Sequence, residues 1–464
     1  MRWPLVGYRM IFVLTAIALA ASVPLAHLAF GQTTNPTSAA GVLIDGNGVL
    51  HKRTVADPGG QVARQRAASV KASMPPELTR PSKLRKVSLT RLEKAIADNG
   101  GVPTEVMRYL AGLQRVRFVF CYPDSGEVVL AGPAEGWITN VAGRVVGINS
   151  GRPAVQLQDL VVALRAFPPG GQRTSVIGCS IDPTQEGLAE MQRFLRTAGS
   201  QFAVGQERAV ANYMVNGLQT ALGLQNVSIN GVPPDTHFAQ VLVEADYRMK
   251  LIGIGLEQPP VRMVSFVDRV KPAAVSRNAL FRWYFVPDYH CVRQSEDGLA
   301  MELVGDGVKL VGENELVTAG GQRQAVAPSS GASKMFTTSF TQKYPALAAQ
   351  SPVYAELRNL IDLVVAAAYM QEQDVYGRAG WKMELLGDEG AFSVETYSAP
   401  KQVASTVAAV FKGRQLMTPI GGGVQIEAAM ALAPENVLAD ELGKVDELRQ
   451  ETTVQLAEGQ WWWD

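Results

Sequence analysis

The chain has 464 residues, sets 43 Lys and Arg against 43 Asp and Glu, is 47% hydrophobic and 19% charged, and contains 3 Cys. This apolar content with so few charges excludes a disordered or highly charged filamentous chain and is enough for a large core. Zero formal charge argues against a general nucleic-acid binder, which needs a basic excess, so no nucleic acid is expected among the partners.

At the N-terminus, Arg2 and Arg9 bracket the approach to an apolar run at 11–21. Ala29-Phe30-Gly31 then places small residues for cleavage before Gln32. The pattern predicts a Sec-type signal peptide over residues 1–31 and a periplasmic or extracellular protein. Pro24 and His27 interrupt the run short of the roughly 20 residues a spanning helix needs, with an uncleaved anchor over 10–30 as the alternative. No later apolar run could span; the longest is 363–370. An odd number of Cys in an oxidising compartment permits at most one internal bridge. Cys121 and Cys179 sit in strand-like runs and read as small buried residues.

Residues 32–86 are expected to hold a polar tether, a hairpin and a basic linker. Asp45-Gly46-Asn47-Gly48 between apolar residues is a hairpin signal. Ala56 stands where a calcium loop needs its twelfth-position Glu, so no Ca²⁺ site is expected. From Lys52 to Arg91, Asp57 and Glu77 are the only acids among many Lys and Arg, and Pro58, Pro75, Pro76 and Pro81 break the run. The stretch reads as a linker with a helical piece near 60–73. It would be a cationic arm toward an acidic envelope polymer or membrane surface, or more plainly a solvated connection.

A first α+β domain is expected over 87–200. Leu89, Leu92 and Ile96 form one helical stripe, and Val106, Met107, Leu110 and Leu113 a second after Pro103. Residues 116–122 and 127–131 read as strands around Pro123-Asp124-Ser125-Gly126. A strand at 144–148, a helix at 157–166 and a strand at 174–181 follow, and Asp182-Pro183-Thr184 opens another helix. The run 145–164, with Gly151-Arg152-Pro153, is similar to the back half of a PDZ domain but lacks its carboxylate-binding loop.

A second α+β domain is expected over 201–430. Phe238, Val241, Leu242, Ala245, Met249 and Ile252 share a helical stripe, while Glu244–Arg248 and Asp246–Lys250 pair at i, i+4. Surface ion pairs of roughly 0.3–0.5 kcal/mol each explain that spacing. The sharper expectation is that Asp246, Arg248 and Lys250 line a polar cleft. Residues 282–287, 299–304 and 308–312 read as a meander with turns at Asp297-Gly298 and Asp306-Gly307. A Gly/Ser loop at 320–333 precedes a long helix begun by Ser351-Pro352, with Val353, Leu357, Leu360, Ile361, Val364 and Ala368 facing the core. Residues 381–386 and 391–396 read as a strand pair and 421–426 as a strand. Residues 431–464 read as an acidic helical tail whose only bases are Lys444 and Arg449. The fold class is thus α+β, with mixed helices and short, mostly antiparallel sheets in several lobes.

The runs "EVVLAGPAEGW" (127–137), "GRPAVQLQDLVVALRAF", "SIDPTQEGL", "VLVEADYRMKLIGIGLE", "RWYFVP", "LAMELVGDGVKLV", "SPVYAELRNLIDLVVAAA" and "GGGVQI" look like an uncharacterised family of exported planctomycete proteins. It is a domain-of-unknown-function family, and the resemblance extends over residues 87–428. It implies export and a shared α+β architecture, and brings no activity, cofactor or catalytic residue.

Motifs of known chemistry are missing. No His-x-x-x-His, Cys-x-x-Cys or His-Glu-x-x-His spacing suggests a transition metal. Gly147-Ile-Asn-Ser-Gly has the wrong spacing for a nucleophile elbow, and Ser330 to Lys334 fails the Ser-x-x-Lys pattern. Gly253-Ile-Gly lacks the third Gly of a dinucleotide loop. His290-Cys291 are adjacent, but strand neighbours point to opposite faces. Trp137, Trp283 and Trp381 could touch carbohydrate and read first as core or hairpin aromatics. No catalytic residue, cofactor or metal ligand is therefore assigned. Two functions stay open. One is a non-enzymatic envelope binding or scaffold protein that recognises a peptide, a protein or an acidic polymer. The other is an envelope hydrolase of peptidoglycan or polysaccharide, acting through carboxylates that sequence cannot pair. The even charge balance conceals a basic stretch at 52–91 and an acidic one at 435–464, which are expected to attract each other or a partner.

Overall fold

A computed structural model describes residues 38–57, 60–198, 207–269, 279–317, 323–326, 331–407, 420–452, 454 and 456–464; the expected signal peptide lies outside them. The architecture is α+β. A nine-stranded sheet runs in the order Ser38–Ile44, Val49–Ala56, Gln402–Ala404, Leu224–Asn230, Ile177–Asp182, Ile420–Ile426, Ala279–Pro287, Val308–Val317 and Arg323–Val326. A seven-stranded sheet runs Leu438–Ala439, Val292–Gln294, Ala300–Leu303, Phe118–Tyr122, Glu127–Ala134, Ser82–Ser88 and Trp462–Trp463. Most pairs are antiparallel; the parallel ones join Gln402–Ala404 to Val49–Ala56, Ala279–Pro287 to Ile420–Ile426, and Val292–Gln294 to Leu438–Ala439. Both sheets therefore combine strands from either side of residue 200.

One apolar core joins the sheets, including Leu130, Ile181, Phe285 and Val364. Its axis is the helix Pro352–Glu372, with Ser351 as N-cap and Pro352 in the first turn. Side chains are buried on every face of this helix, Glu356, Asn359 and Asp362 among them. Aromatic rings pack beside it, with Phe285 meeting Phe340 at 5.5 Å and Tyr354 at 6.1 Å between centroids. The triplet Gly421-Gly422-Gly423 has a steric cause. Gly422 has φ 127°, and a Cβ there would come within 1.9 Å of the Trp283 carbonyl oxygen on the neighbouring strand.

Several expectations need correction. The basic stretch is folded rather than a linker: it forms the strand Val49–Ala56, the helices Gln61–Ser73 and Pro76–Thr79, and the strand Ser82–Ser88. Its cations have found partners that composition does not reveal, Lys52 on Glu257 at 2.9 Å and the fully buried Arg85 on Asp464 at 2.8 Å. The acidic tail is helical only over Lys444–Glu451, and it ends as an edge strand beside Ser82–Ser88. There the Arg85 guanidinium lies 4.8 Å from the Trp462 ring, so the basic and acidic stretches do meet. The meander is split. Ala279–Pro287 pairs with Val308–Val317 in one sheet, while Ala300–Leu303 crosses to pair with Phe118–Tyr122 in the other. Val145–Gly147 forms a two-stranded hairpin with Trp137–Thr139, apart from the sheet that takes Ile177–Asp182, unlike the strand arrangement of a PDZ domain.

The strand pair expected at 381–386 and 391–396 is absent. Side chains satisfy this backbone in place of a ladder. Glu93 accepts from the amides of Leu385 and Leu386, and Arg165 donates to the carbonyls of Leu386, Asp388 and Phe392.

Replacing Gly422 with Ala should destabilise the protein by roughly 1–3 kcal/mol or more through overpacking. Gly41→Ala, where a Cβ would meet nothing within 4 Å, should change stability little. Urea midpoints of the two variants check this; equal midpoints would contradict the steric reading of the glycine run.

Candidate ligand-binding pocket

The helix His237–Gly253 starts at Thr236, whose hydroxyl accepts from the Ala239 amide at 3.2 Å. It lies between the strands Ile177–Asp182 and Ile420–Ile426 on one side and Pro352–Glu372 on the other. Burial on both sides leaves its charged residues no route to water. The pairs expected at the surface are inside: Asp246 is 0% exposed, Lys250 4% and Arg248 9%. Lys250 Nζ lies 2.7 Å from Asp246 Oδ2 and donates to the carbonyls of Ile181 at 3.0 Å and Gly422 at 3.1 Å. Burial raises the Asp246 carboxyl to about 6 against the pull of Lys250. Arg248 pairs with Glu257 at 2.8 Å and with Glu244 at 3.4 Å.

A pocket of about 680 Å³ opens at the other end of this helix. Its first two turns contribute His237, Gln240, Val241 and Glu244, a single face at helical spacing. Asp246, Arg248 and Lys250 do not line it. The remaining wall comes from the strand Val49–Ala56 through Arg53, from Arg108 and Tyr109, from the turn at 139–145, from 156–158, and from 391–397.

Two buried charge systems form its floor. Asp159, near the start of Leu157–Ala166, holds His237 Nδ1 at 2.9 Å. Burial disfavours the imidazolium, but the Asp159 carboxylate outweighs burial and raises the His237 pKa. Arg144 is delivered by a turn in which Asn140 Oδ1 accepts from the amides of Ala142 at 2.9 Å and Arg144 at 3.0 Å. Its guanidinium binds both Glu244 and Glu356. Burial raises the Glu356 carboxyl despite Arg144. The result is an alternating series, Glu356–Arg144–Glu244–Arg248–Glu257–Lys52, from the central helix to the basic strand.

A third, largely neutral system lines the wall. Gln156 Nε2 lies 3.4 Å from His237 Nε2, and Gln156 Oε1 accepts from Gln158 Nε2 at 2.7 Å. Gln158 Nε2 also donates to the Tyr397 hydroxyl at 3.2 Å, which donates to Glu395 at 3.0 Å; Arg108 donates to Glu395 at 2.8 Å. His237, Asp159, Arg144 and Glu356 carry no sequence signal of a site. They come from four separate segments, and only the helical face 237, 240, 241 and 244 was available to periodicity.

The cysteines are inert. All three are buried and free, and burial pushes the thiols of Cys121 up to about 11 and Cys291 up to about 12. Trp137, Trp283 and Trp381 are core aromatics, 3%, 0% and 6% exposed. Among the described residues no cluster of three His, Cys, Asp or Glu could hold a metal, and no helix is long and apolar enough to cross a membrane.

Residues 179–266 match DUF1598, a protein of unknown function. The DUF1598 segment runs from the strand holding Cys179 to Phe266 and contains the whole helix His237–Gly253. It thus spans the Lys250 anchor and the helical wall of the pocket. No curated protein and no solved structure matches the chain.

Because the folded His237 pKa is raised above 6.5, its stabilising contribution is complete below the unfolded value and is lost as pH rises through the folded one. Asp159→Asn should lower the His237 pKa, read from its imidazole NMR shifts, and flatten the decline in stability above pH 6.5. An unchanged titration would contradict the pairing.

Proposed function

We propose that the protein is exported and acts as a non-enzymatic binding protein of the cell envelope, its pocket taking a residue of an acidic polymer. Export draws on the N-terminal pattern and on the resemblance to exported planctomycete proteins. Arg53 supports the ligand class best. It lines the pocket and has no carboxylate partner among the described residues, whereas Arg108 and Arg144 are paired. An unpaired guanidinium at a pocket rim favours a carboxylate-bearing ligand. The helix Gln61–Ser73 carries Arg64, Arg66 and Lys71, and Arg66 donates to the carbonyls of Thr139, which lines the pocket, at 3.1 Å and of Asn140 at 3.0 Å. Tyr109, Phe392 and Tyr397 supply apolar faces suited to a sugar ring.

The hydrolase reading has less support. Glu244, which lines the pocket, and the buried Glu356 are both held by one guanidinium. Gln156 occupies the nitrogen through which His237 would act as a base, and among the described residues no hydroxyl or thiol is bonded to it.

Calorimetric titration with polygalacturonate tests the proposal, with neutral dextran as control. Polygalacturonate should bind, more weakly as salt rises, and Arg53→Glu should weaken it about tenfold, or ~1.4 kcal/mol. Equal binding of dextran, or full affinity in the Arg53 variant, would sink it.

A further inference from the structure

We infer that the pocket is proton-gated: protonation of His237 reverses the hydrogen-bond chain along the wall and loosens the segment 391–397. The inference rests on the binding reading only in taking this pocket as the site that is gated.

Donor sense carries the argument. Asp159 fixes a proton on His237 Nδ1, so a neutral ring presents Nε2 as an acceptor, and Gln156 Nε2 donates to it at 3.4 Å. Each later link runs in a matching sense, from Gln158 to Gln156, from Gln158 to Tyr397, and from Tyr397 to Glu395. A protonated ring makes Nε2 a donor facing a donor. Gln156 must then turn its oxygen inward, which sets its amino group against that of Gln158. Gln158 must turn in response, and its oxygen then faces the Tyr397 hydroxyl. That hydroxyl has one proton and now two acceptors, Gln158 and Glu395. The conflict created at His237 therefore arrives, undiminished in sign, at Tyr397.

Tyr397 ends the segment that completes this wall. Residues 391–397 have neither helix nor strand. Apart from the chain above, they are held by Arg165 on the Phe392 carbonyl, by the Phe392 amide on the Asp388 carbonyl at 2.9 Å, by Arg108 on Glu395, by the Tyr397 amide on the Asp235 carbonyl at 2.7 Å and by the buried Phe392 and Val394 side chains. A wall without a ladder can move without breaking a sheet.

The groups facing His237 set where the transition falls. Asp159 approaches from Leu157–Ala166, Glu356 from Pro352–Glu372 and Arg144 from the turn before Val145–Gly147. The Tyr397 ring lies 6.1 Å from the imidazole, with Glu395 beyond it, and Glu244 lies two turns along the same helix. Burial and Arg144 oppose the charged ring while Asp159 and Glu356 favour it, and the balance is a raised pKa. The segment is therefore held at alkaline pH and loosens as pH falls through a midpoint above 6.5.

Amide hydrogen exchange of the whole chain, without ligand and corrected for the intrinsic pH dependence, tests this. Exchange in 391–397 should rise about tenfold as pH falls through the His237 midpoint, measured in parallel by imidazole NMR. His237→Gln should abolish the step, and Tyr397→Phe should give fast exchange at both extremes. A missing step in the wild type, the same step in His237→Gln, or a retained step in Tyr397→Phe would each overturn the gate. Since no ligand is involved, failure here leaves polygalacturonate binding untouched, and failure of that titration leaves the gate standing.

Discussion

A buried ammonium fixes the element on which both the fold and the pocket depend. Lys250 Nζ reaches the Ile181 and Gly422 carbonyls, which belong to adjacent strands of the nine-stranded sheet. It thereby ties the C-terminal end of His237–Gly253 to the middle of that sheet. An isolated ammonium there would be prohibitively costly, and Asp246 at 2.7 Å, together with the two carbonyls, makes it tolerable. Such an arrangement adds less net stability than well-packed apolar residues would, but it admits only one depth and rotation of the helix. At 1.5 Å per residue, His237 then stands roughly 20 Å away with its azimuth already set. The pocket inherits its precision from an ion pair it does not contain.

The same logic governs the pocket floor. Asp159, Glu244 and Glu356 would repel one another if left alone in a medium of low polarity. Arg144 lies between Glu244 and Glu356, and the His237 Nδ1 proton faces Asp159, so each carboxylate has a donor beside it. The alternation continues through Arg248 and Glu257 to Lys52. Most of this charge is paired internally, and the surface offered to a ligand combines amides, hydroxyls and aromatic faces with the Arg108–Glu395 pair and the guanidinium of Arg53. In a site built this way the sense of each hydrogen bond matters as well as charge, which is why one proton on His237 has leverage.

The local elements were legible because their causes are local. The helix Leu157–Ala166, the Thr184 cap that accepts from the Gly187 amide at 2.9 Å, and the turn before Glu127 all follow from residues within a few positions. The stripe in His237–Gly253 was legible too, but its environment was not. An i, i+4 pair of opposite charges has the same spacing on a wet surface as between a sheet and a helix, and only the long-range packing decides. The split of the expected meander has a similar cause. Strands at 300–303 and 308–317 are locally alike; the first pairs with nearby Val292–Gln294 and also with distant Phe118–Tyr122, while the second joins Ala279–Pro287 in the other sheet. The strand expected at 391–396 is absent for the complementary reason. Its alternation suits a strand, but the Arg165 guanidinium takes carbonyls that a neighbouring strand would otherwise have needed.

The balance of 43 bases and 43 acids can be understood in the same terms. A count of charges cannot tell an arm in solution from a network folded inward. In the stretch beginning at Lys52, Lys52 and Arg85 meet carboxylates from residues 257 and 464, contacts that composition cannot anticipate. Once these are subtracted, Arg53, Arg64, Arg66, Lys71, Arg80 and Lys83 remain exposed, and of these Arg53 lines the pocket. Neutrality over the whole chain is therefore compatible with a local positive charge at the pocket, because internal pairs cancel in place and Arg53 does not.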